Sequence, residues 1–275
     1  MSILSAIFYG IIQGLTEFLP ISSSGHLAIV QNIFGGKNVE ADYFSFSILL
    51  HLATLATVLV VYYKDIFPMI PAFFRIVGKI FKGKFRFSEC NSQEKMVICL
   101  IIATLPLAAA LFINDYVEVV SSNVKLVGGI LIFNGIVLFI SDLISKGKKG
   151  LDEMKPKNAV VVGLCQLFAI FPGLSRSGST ITGARLCGFT REFAVKFSFI
   201  LSVPAILGAN ILEIPSLVKN PVPSADIPAY ILGMAAAALT GFAAMKLLSY
   251  ISKKSNFRIF SYYSVIVGIL AVIFG

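Results

Sequence analysis

The sequence predicts an all-α polytopic membrane protein built as two inverted-topology repeats. Each repeat is a re-entrant helix–loop–helix followed by three transmembrane helices. Three observations carry this. The 275 residues are 57% hydrophobic and 13% charged, where a soluble domain carries about 25% charged residues. Apolar runs recur in an order that repeats half-way along the chain. The cations gather in a few short segments between those runs, as orientation in a bilayer requires. That placement also accounts for the net charge of +9, and no nucleic-acid partner is expected.

The first half, residues 1–145, opens with apolar runs at 2–19 and 25–35, each short of the roughly 20 residues that span a bilayer. Between them lies Pro20-Ile21-Ser22-Ser23-Ser24-Gly25-His26, too polar to face lipid. The pair reads as a hairpin over 2–35 that enters the membrane and turns back with its tip inside protein. Runs 43–63, 96–113 and 124–143 are long enough to span. The second half, 155–275, follows the same course, with a hairpin over 158–188 and spans at 193–213, 227–248 and 257–274.

A gapless shift of 153 positions pairs Gly10 with Gly163, Gln13 with Gln166, Phe18 with Phe171, Ser22 with Ser175, Ser24 with Ser177 and Gly25 with Gly178. Farther on, Phe44-Ser45-Phe46 falls on Phe197-Ser198-Phe199. The chain therefore reads as an internal duplication.

Charge sets the orientation. Segment 64–95 (Lys64, Arg75, Lys79, Lys82, Lys84, Arg86, Lys95), segment 144–157 (with Lys146, Lys148, Lys149, Lys155 and Lys157) and the group Lys253, Lys254 and Arg258 are expected in the cytoplasm. Segments 114–123 and 213–226 are poor in cations and are expected outside. The first hairpin then enters from outside and the second from the cytoplasm. Three spans per repeat, an odd number, invert the second copy, the plan of inverted-repeat transporters with a site where the loop tips meet. Segment 64–95 also carries six phenylalanines, among them Phe67, Phe73, Phe74 and Phe81. It reads either as an amphipathic stretch on the inner leaflet or as a solvated loop whose charges fix topology; the loop is the expectation taken. Cys90, Cys99, Cys165 and Cys187 lack metal-type spacing and read as packing residues. The N-terminus has no basic n-region, so no cleaved signal peptide is expected.

The stretch Phe171-Pro172-Gly173-Leu174-Ser175-Arg176-Ser177-Gly178-Ser179-Thr180 stands out. A cation at membrane depth is costly and marks function. Arg176 among hydroxyls and glycines at the start of a helical run offers donors that suit a phosphate; an arginine that only ties two helices together is the bland alternative. In the first hairpin Gln13 and Glu17, four apart, share one helical face, and Glu17 is an acid within an apolar run. Ser22, Ser23, Ser24 and His26 follow. The serines also suit helix capping, Ser24 in particular, and His26 alone would suit an interior hydrogen bond. Brought together, an acid, hydroxyls and a histidine opposite an anion-binding loop are equipment for phosphoryl transfer. His51, among Leu50, Leu52 and Ala53, reads as a helix-contact residue, with involvement in the site as the alternative.

Gln13-Gly14-Leu15-Thr16-Glu17-Phe18-Leu19-Pro20-Ile21-Ser22-Ser23-Ser24-Gly25-His26 resembles the (E/Q)xxxE motif and following serine–histidine segment of the bacterial undecaprenyl-diphosphate phosphatase family, known for bacitracin resistance. Pro172 to Thr180 resembles its PGxSRSxxT motif, and Phe197 to Ala209 is similar as well. The resemblance implies a multi-pass enzyme of the plasma (inner) membrane that converts undecaprenyl diphosphate to undecaprenyl phosphate for peptidoglycan synthesis. It further implies a divalent cation (Mg²⁺ or Ca²⁺), a site open to the outer face, and a homodimer. On this reading Glu17, Ser23, His26 and Arg176 are the catalytic candidates. Ser22, Ser24, Gly173, Ser175, Ser177, Gly178 and Thr180 join Arg176 around the diphosphate, and Gln13 and Glu17 are the metal candidates. Gln13 in place of Glu leaves Glu17 the only acid of its pair. Two routes stay open: Ser23 attacks phosphorus with His26 or Glu17 as base, or His26 activates water or attacks directly. A transporter or flippase of a phosphate-bearing lipid or anion, using the same inverted-repeat site, is the competing class.

Overall fold

The computed structural model describes residues 1–34, 39–144, 147–219, 222–254 and 256–275. The expected hairpin end at residue 35, the boundary at 145 and Lys146 lie outside the described residues. Among those described, regular structure is helical, and the bridge between Lys149 and Phe189 is isolated. Helices α1 (Ile3–Phe18) and α2 (Ser23–Phe34) form a first pair. Then come α3 (Val39–Val61), the short α4 (Tyr63–Ile66), α5 (Met69–Phe81) and α6 (Ser92–Thr104), which continues as 3₁₀ turns to Phe112. Next are α7 (Asn114–Ser121) and α8 (Val124–Leu143). A second pair, α9 (Pro156–Phe168) and α10 (Arg176–Leu186), precedes α11 (Arg191–Lys219), α12 (Ile227–Lys254) and α13 (Arg258–Phe274).

Local chemistry sets the helix starts. Asn91 accepts from the Glu94 N–H at 2.9 Å while the Glu94 carboxylate accepts from the Asn91 N–H at 3.2 Å, a reciprocal cap that opens α6. Ser2 and Asn123 cap α1 and α8 in the same sense. Four stretches are long and apolar enough to cross a bilayer: Ser92–Phe112, Val124–Leu143, Arg191–Lys219 and Ser224–Lys254. A fifth is added if Ser45–Val61 is joined to Tyr63–Phe81 across a 75° bend. This is fewer than the six spans expected, because α13 has 17 residues where a span takes about 20. Leu4, Phe112, Leu239 and Phe274 are exposed on the outside of the bundle, the surface of a membrane protein.

Helix α1 lies along α12, and α8 along α13. Both contacts run over small residues: a methyl on Gly10 would strike the Gly233 carbonyl, and one on Gly128 the Gly268 carbonyl. Such close approach is how helices pack when lipid supplies no hydrophobic drive. Helix α9 packs on α6, where Gln166 donates to the Ala103 carbonyl at 3.1 Å. Phe18 at the end of α1 meets Phe199 of α11 edge to face at 5.6 Å, which seats the first loop beside α11.

Segment 64–95 departs from the solvated loop expected. Met69, Ala72 and Ile76, at helical spacing, enter the main core as α5, while Phe73, Phe74 and Phe81 stay outward. Arg75 and Lys79 reach the buried Glu94 at 3.4 and 2.7 Å. Apolar residues three and four apart favour a helix that buries them over a hydrated loop.

Candidate active site

Helix α1 stops at Phe18, two residues before Pro20, and the chain turns through Ser22, the one non-glycine residue of positive φ (71°) among those described. Its hydroxyl accepts from the Gly25 N–H at 3.2 Å, so Ser22, not Ser24, caps α2. The same oxygen accepts from the Gly173 N–H of the other loop at 3.2 Å. Gly173 sits at φ 103°, a backbone position that favours glycine. Ser175 then caps α10 by accepting from the Gly178 N–H at 3.1 Å, and the Ser177 hydroxyl donates to the Leu19 carbonyl at 3.3 Å. Asn134 of α8 clamps both tips, donating to the Pro20 carbonyl at 3.1 Å and accepting from the Ser175 N–H at 3.0 Å. The two loops meet inside the protein.

Glu17, 6% exposed, is the centre of this junction. Arg176 donates to its Oε1 in an ion pair. The Ser23 hydroxyl donates to Oε2 at 2.8 Å and Gln13 Nε2 to the same oxygen at 3.0 Å. His51 Nε2 lies 3.8 Å from Oε2. A buried carboxylate is tolerable only with compensation such as the Arg176 ion pair and the Ser23 and Gln13 bonds supply. Beside it opens a cavity of about 350 Å³, lined by Glu17, Ser23, Ser24, His51, Ser175 and Arg176, with Leu107, Ile170 and Ala205 on the apolar side. Arg176 Nη1 is buried and has no partner among the described residues. A buried guanidinium donor without an acceptor is a cost that an anion removes. The start of α10 adds to it, because the Ser175 cap takes only the Gly178 N–H and leaves those of Arg176 and Ser177 without intrahelical partners.

The family described as bacitracin resistance protein BacA matches residues 6–270 of this chain. The chain belongs to this family. A protein of Alkaliphilus metalliredigens named undecaprenyl-diphosphatase is 39% identical over 276 residues, covering 100% of this chain and 99% of that protein. Proteins of the same name from Caldicellulosiruptor bescii and Korarchaeum cryptofilum are 41% and 39% identical, covering 96% and 98% of the chain and 94% and 98% of their own lengths.

In this BacA-family chain five of the expected site residues, Glu17, Ser23, Ser24, Ser175 and Arg176, line the cavity. Ser22, Gly173, Ser177 and Gly178 stand behind it and hold the loops through the bonds described above. Thr180 also faces away: its hydroxyl bonds the Arg176 carbonyl at 2.9 Å and the Ser198 hydroxyl at 2.6 Å, tying α10 to α11. His26 is not brought to the cavity. Its Nδ1 bonds the Ser22 carbonyl at 2.8 Å, its Nε2 bonds the Tyr263 hydroxyl at 2.9 Å, and its ring stacks on Tyr263 at 5.6 Å. Sequence reasoning missed Asn134 of the junction and read His51 as a helix contact, with a place in the site only as the alternative. The available signal was a polar side chain within an apolar span, the argument already applied to Glu17 and Arg176.

As arranged, the Gln13–Glu17 pair leaves a cation one free oxygen, the buried Gln13 Oε1, which has no partner among the described residues. Gln13 turns its amide nitrogen toward Glu17, and both carboxylate oxygens accept from donors, one of them a guanidinium. Among the described residues no group of three His, Cys, Asp or Glu side chains is placed to hold a metal ion.

Proposed function

We propose that this chain hydrolyses undecaprenyl diphosphate to undecaprenyl phosphate and inorganic phosphate, returning the lipid carrier to cell-wall synthesis and thereby giving bacitracin resistance. One observation carries the reading: Ser23 and Arg176, from opposite loops, meet on the buried Glu17 at a cavity where Arg176 keeps a free donor. The family membership and the names of its full-length relatives support it. On this proposal Arg176, the Ser175 hydroxyl and the N–H groups at the start of α10 hold the terminal phosphate and offset the charge that develops on it. Ser23 is the nucleophile and Glu17 the base that receives its proton.

A cavity of about 350 Å³ is at the small end of ligand sites, so it takes the head group and leaves the prenyl tail among the lipid-facing helices. Mg²⁺ or Ca²⁺ belongs to this proposal as the counter-ion of the diphosphate rather than as a ligand of Gln13 and Glu17. The proposed architecture is two inverted repeats, 1–145 and 155–275, in the plasma membrane with the site toward the outer face. The reciprocal packing of α1 on α12 and α9 on α6 supports it. So do the short paired helices of 16, 12, 13 and 11 residues whose loop tips are buried. A carrier would need Arg176 but gains nothing from a serine held on Glu17, so transport is the weaker reading.

The test is phosphate release from a long-chain prenyl diphosphate by the purified protein in detergent, with and without Mg²⁺ or Ca²⁺. Release by the wild type, lost in Arg176→Ala and Glu17→Ala, is the expected result. Binding without release under every metal condition would overturn the hydrolase reading.

A further inference from the structure

His51 is the cavity residue that the proposed chemistry leaves unused. Its Nδ1 lies 2.8 Å from the Ser47 carbonyl, one turn back on α3. A carbonyl oxygen only accepts, so Nδ1 carries the hydrogen and Nε2 of the neutral ring keeps its lone pair. That lone pair faces the cavity and the Glu17 Oε2 3.8 Å away, and the side chain is 37% exposed. Glu17 Oε2 is the oxygen to which the Ser23 hydroxyl donates. Ser23, Glu17 and His51 therefore form a line from an O–H donor, through a carboxylate, to an open imidazole nitrogen. His26 has no such opening, since both of its ring nitrogens bond protein oxygens.

We infer that His51 is the proton acceptor behind Glu17, a positioning and relay residue for the reaction at Ser23. The inference rests on the phosphatase reading. In the first step the Ser23 O–H bond breaks and an Oγ–P bond forms at the terminal phosphorus. The bridging P–O bond breaks, and its electron pair leaves with the prenyl monophosphate. The proton moves to Glu17 Oε2 and on to His51 Nε2. In the second step water attacks the phosphoserine and gives a proton to Glu17. The Oγ–P bond breaks, and Ser23 recovers a proton through Glu17; one proton remains and leaves to solvent. One water is consumed for each anhydride cleaved.

The charged groups that share the cavity with His51 are Glu17 from α1, Arg176 from α10 and Glu213 from α11; α12, also packed on α3, contributes no side chain to it.

The experiment compares wild type, His51→Gln, His51→Ala and His26→Gln in detergent, measuring phosphate release from a long-chain prenyl diphosphate with and without added imidazole, with KM and thermal unfolding. No release by wild type would sink the phosphatase reading itself. With wild type active, His51→Gln should lose about 10²-fold in kcat with KM held within a few-fold. His26→Gln should gain nothing from added imidazole, whatever its rate. His51→Ala should regain activity in added imidazole, saturably, at an unchanged unfolding temperature. Full kcat in His51→Gln, a change in KM alone, or no response to imidazole in a folded His51→Ala would each overturn the inference.

Discussion

At the tip of the first helical pair Ser22 caps Gly25 at 3.2 Å and lies 3.4 Å from the Ser24 hydroxyl. At the tip of the second, Ser175 caps Gly178 at 3.1 Å and lies 3.1 Å from the Ser177 hydroxyl. The two loops, 153 positions apart, use the same serines and the same glycine to start a helix. Between the paired serines they part. The first loop has Ser23 where the second has Arg176, and the position of Glu17 is matched by Ile170. Both Ser23 and Arg176 nevertheless bond the one carboxylate. Capping requires a hydroxyl, and the close approach of the loops leaves little room for a side chain on Gly25 or Gly178, so those positions agree. Phosphoryl chemistry requires a nucleophile, a base and a cation, and these are divided between the loops so that neither makes a site alone.

The most severe way to break the comparison is to make the second loop read like the first. Arg176→Ser, like Arg176→Ala, leaves Glu17 buried without its cation. It should lower stability by about 3–5 kcal/mol and phosphate release by roughly 10³-fold. Thermal unfolding in detergent alongside the phosphate assay reads both, and more than a tenth of wild-type activity in Arg176→Ser would dissolve the division of labour. Ser23→Ala should reduce release by a comparable ~10³-fold while stability moves by only about 1 kcal/mol. A large stability loss there would make Ser23 a structural residue like its neighbours.

Smaller effects sharpen the contrast between the loop tips and the rest of the chain. Gly173→Ala should cost about 1–3 kcal/mol, because φ is 103° and the new methyl meets the Val127 carbonyl and Ile130. Gly83→Ala, at φ 64° with open space around it, should cost about 1 kcal/mol; equal losses would show that the loop contact adds nothing. Ser175→Ala should cost a similar amount, about 1 kcal/mol for a lost cap. Ser22→Ala should exceed it, since Ser22 also holds the Gly173 N–H across the junction. Denaturant or thermal midpoints of the two single variants decide the order.

Much of this was legible in the chain. Run lengths and polarity separated short buried pairs from longer apolar helices, because the thickness of a bilayer sets one scale for all of them. Glu17 and Arg176 stood out because a charge at membrane depth is costly wherever its partner lies. The spacing of Met69, Ala72 and Ile76 held a helical signal that the surrounding cations masked, and α5 formed where a loop was expected. His51 was read first as a helix contact because its sequence neighbours are apolar, while its partner is on another helix.

The sequence by itself determined that the protein lives in a membrane and where its two polar loops fall. Those are decided by hydrophobicity. Only the tertiary structure decided that Ser23 and His51 face Glu17 while His26 and Thr180 turn away. Helical periodicity ranks the faces of one helix, but the rotation of each helix against its neighbours comes from packing. Here that packing is Gly10 on Gly233 and Gly128 on Gly268, with the Asn134 clamp between the loops.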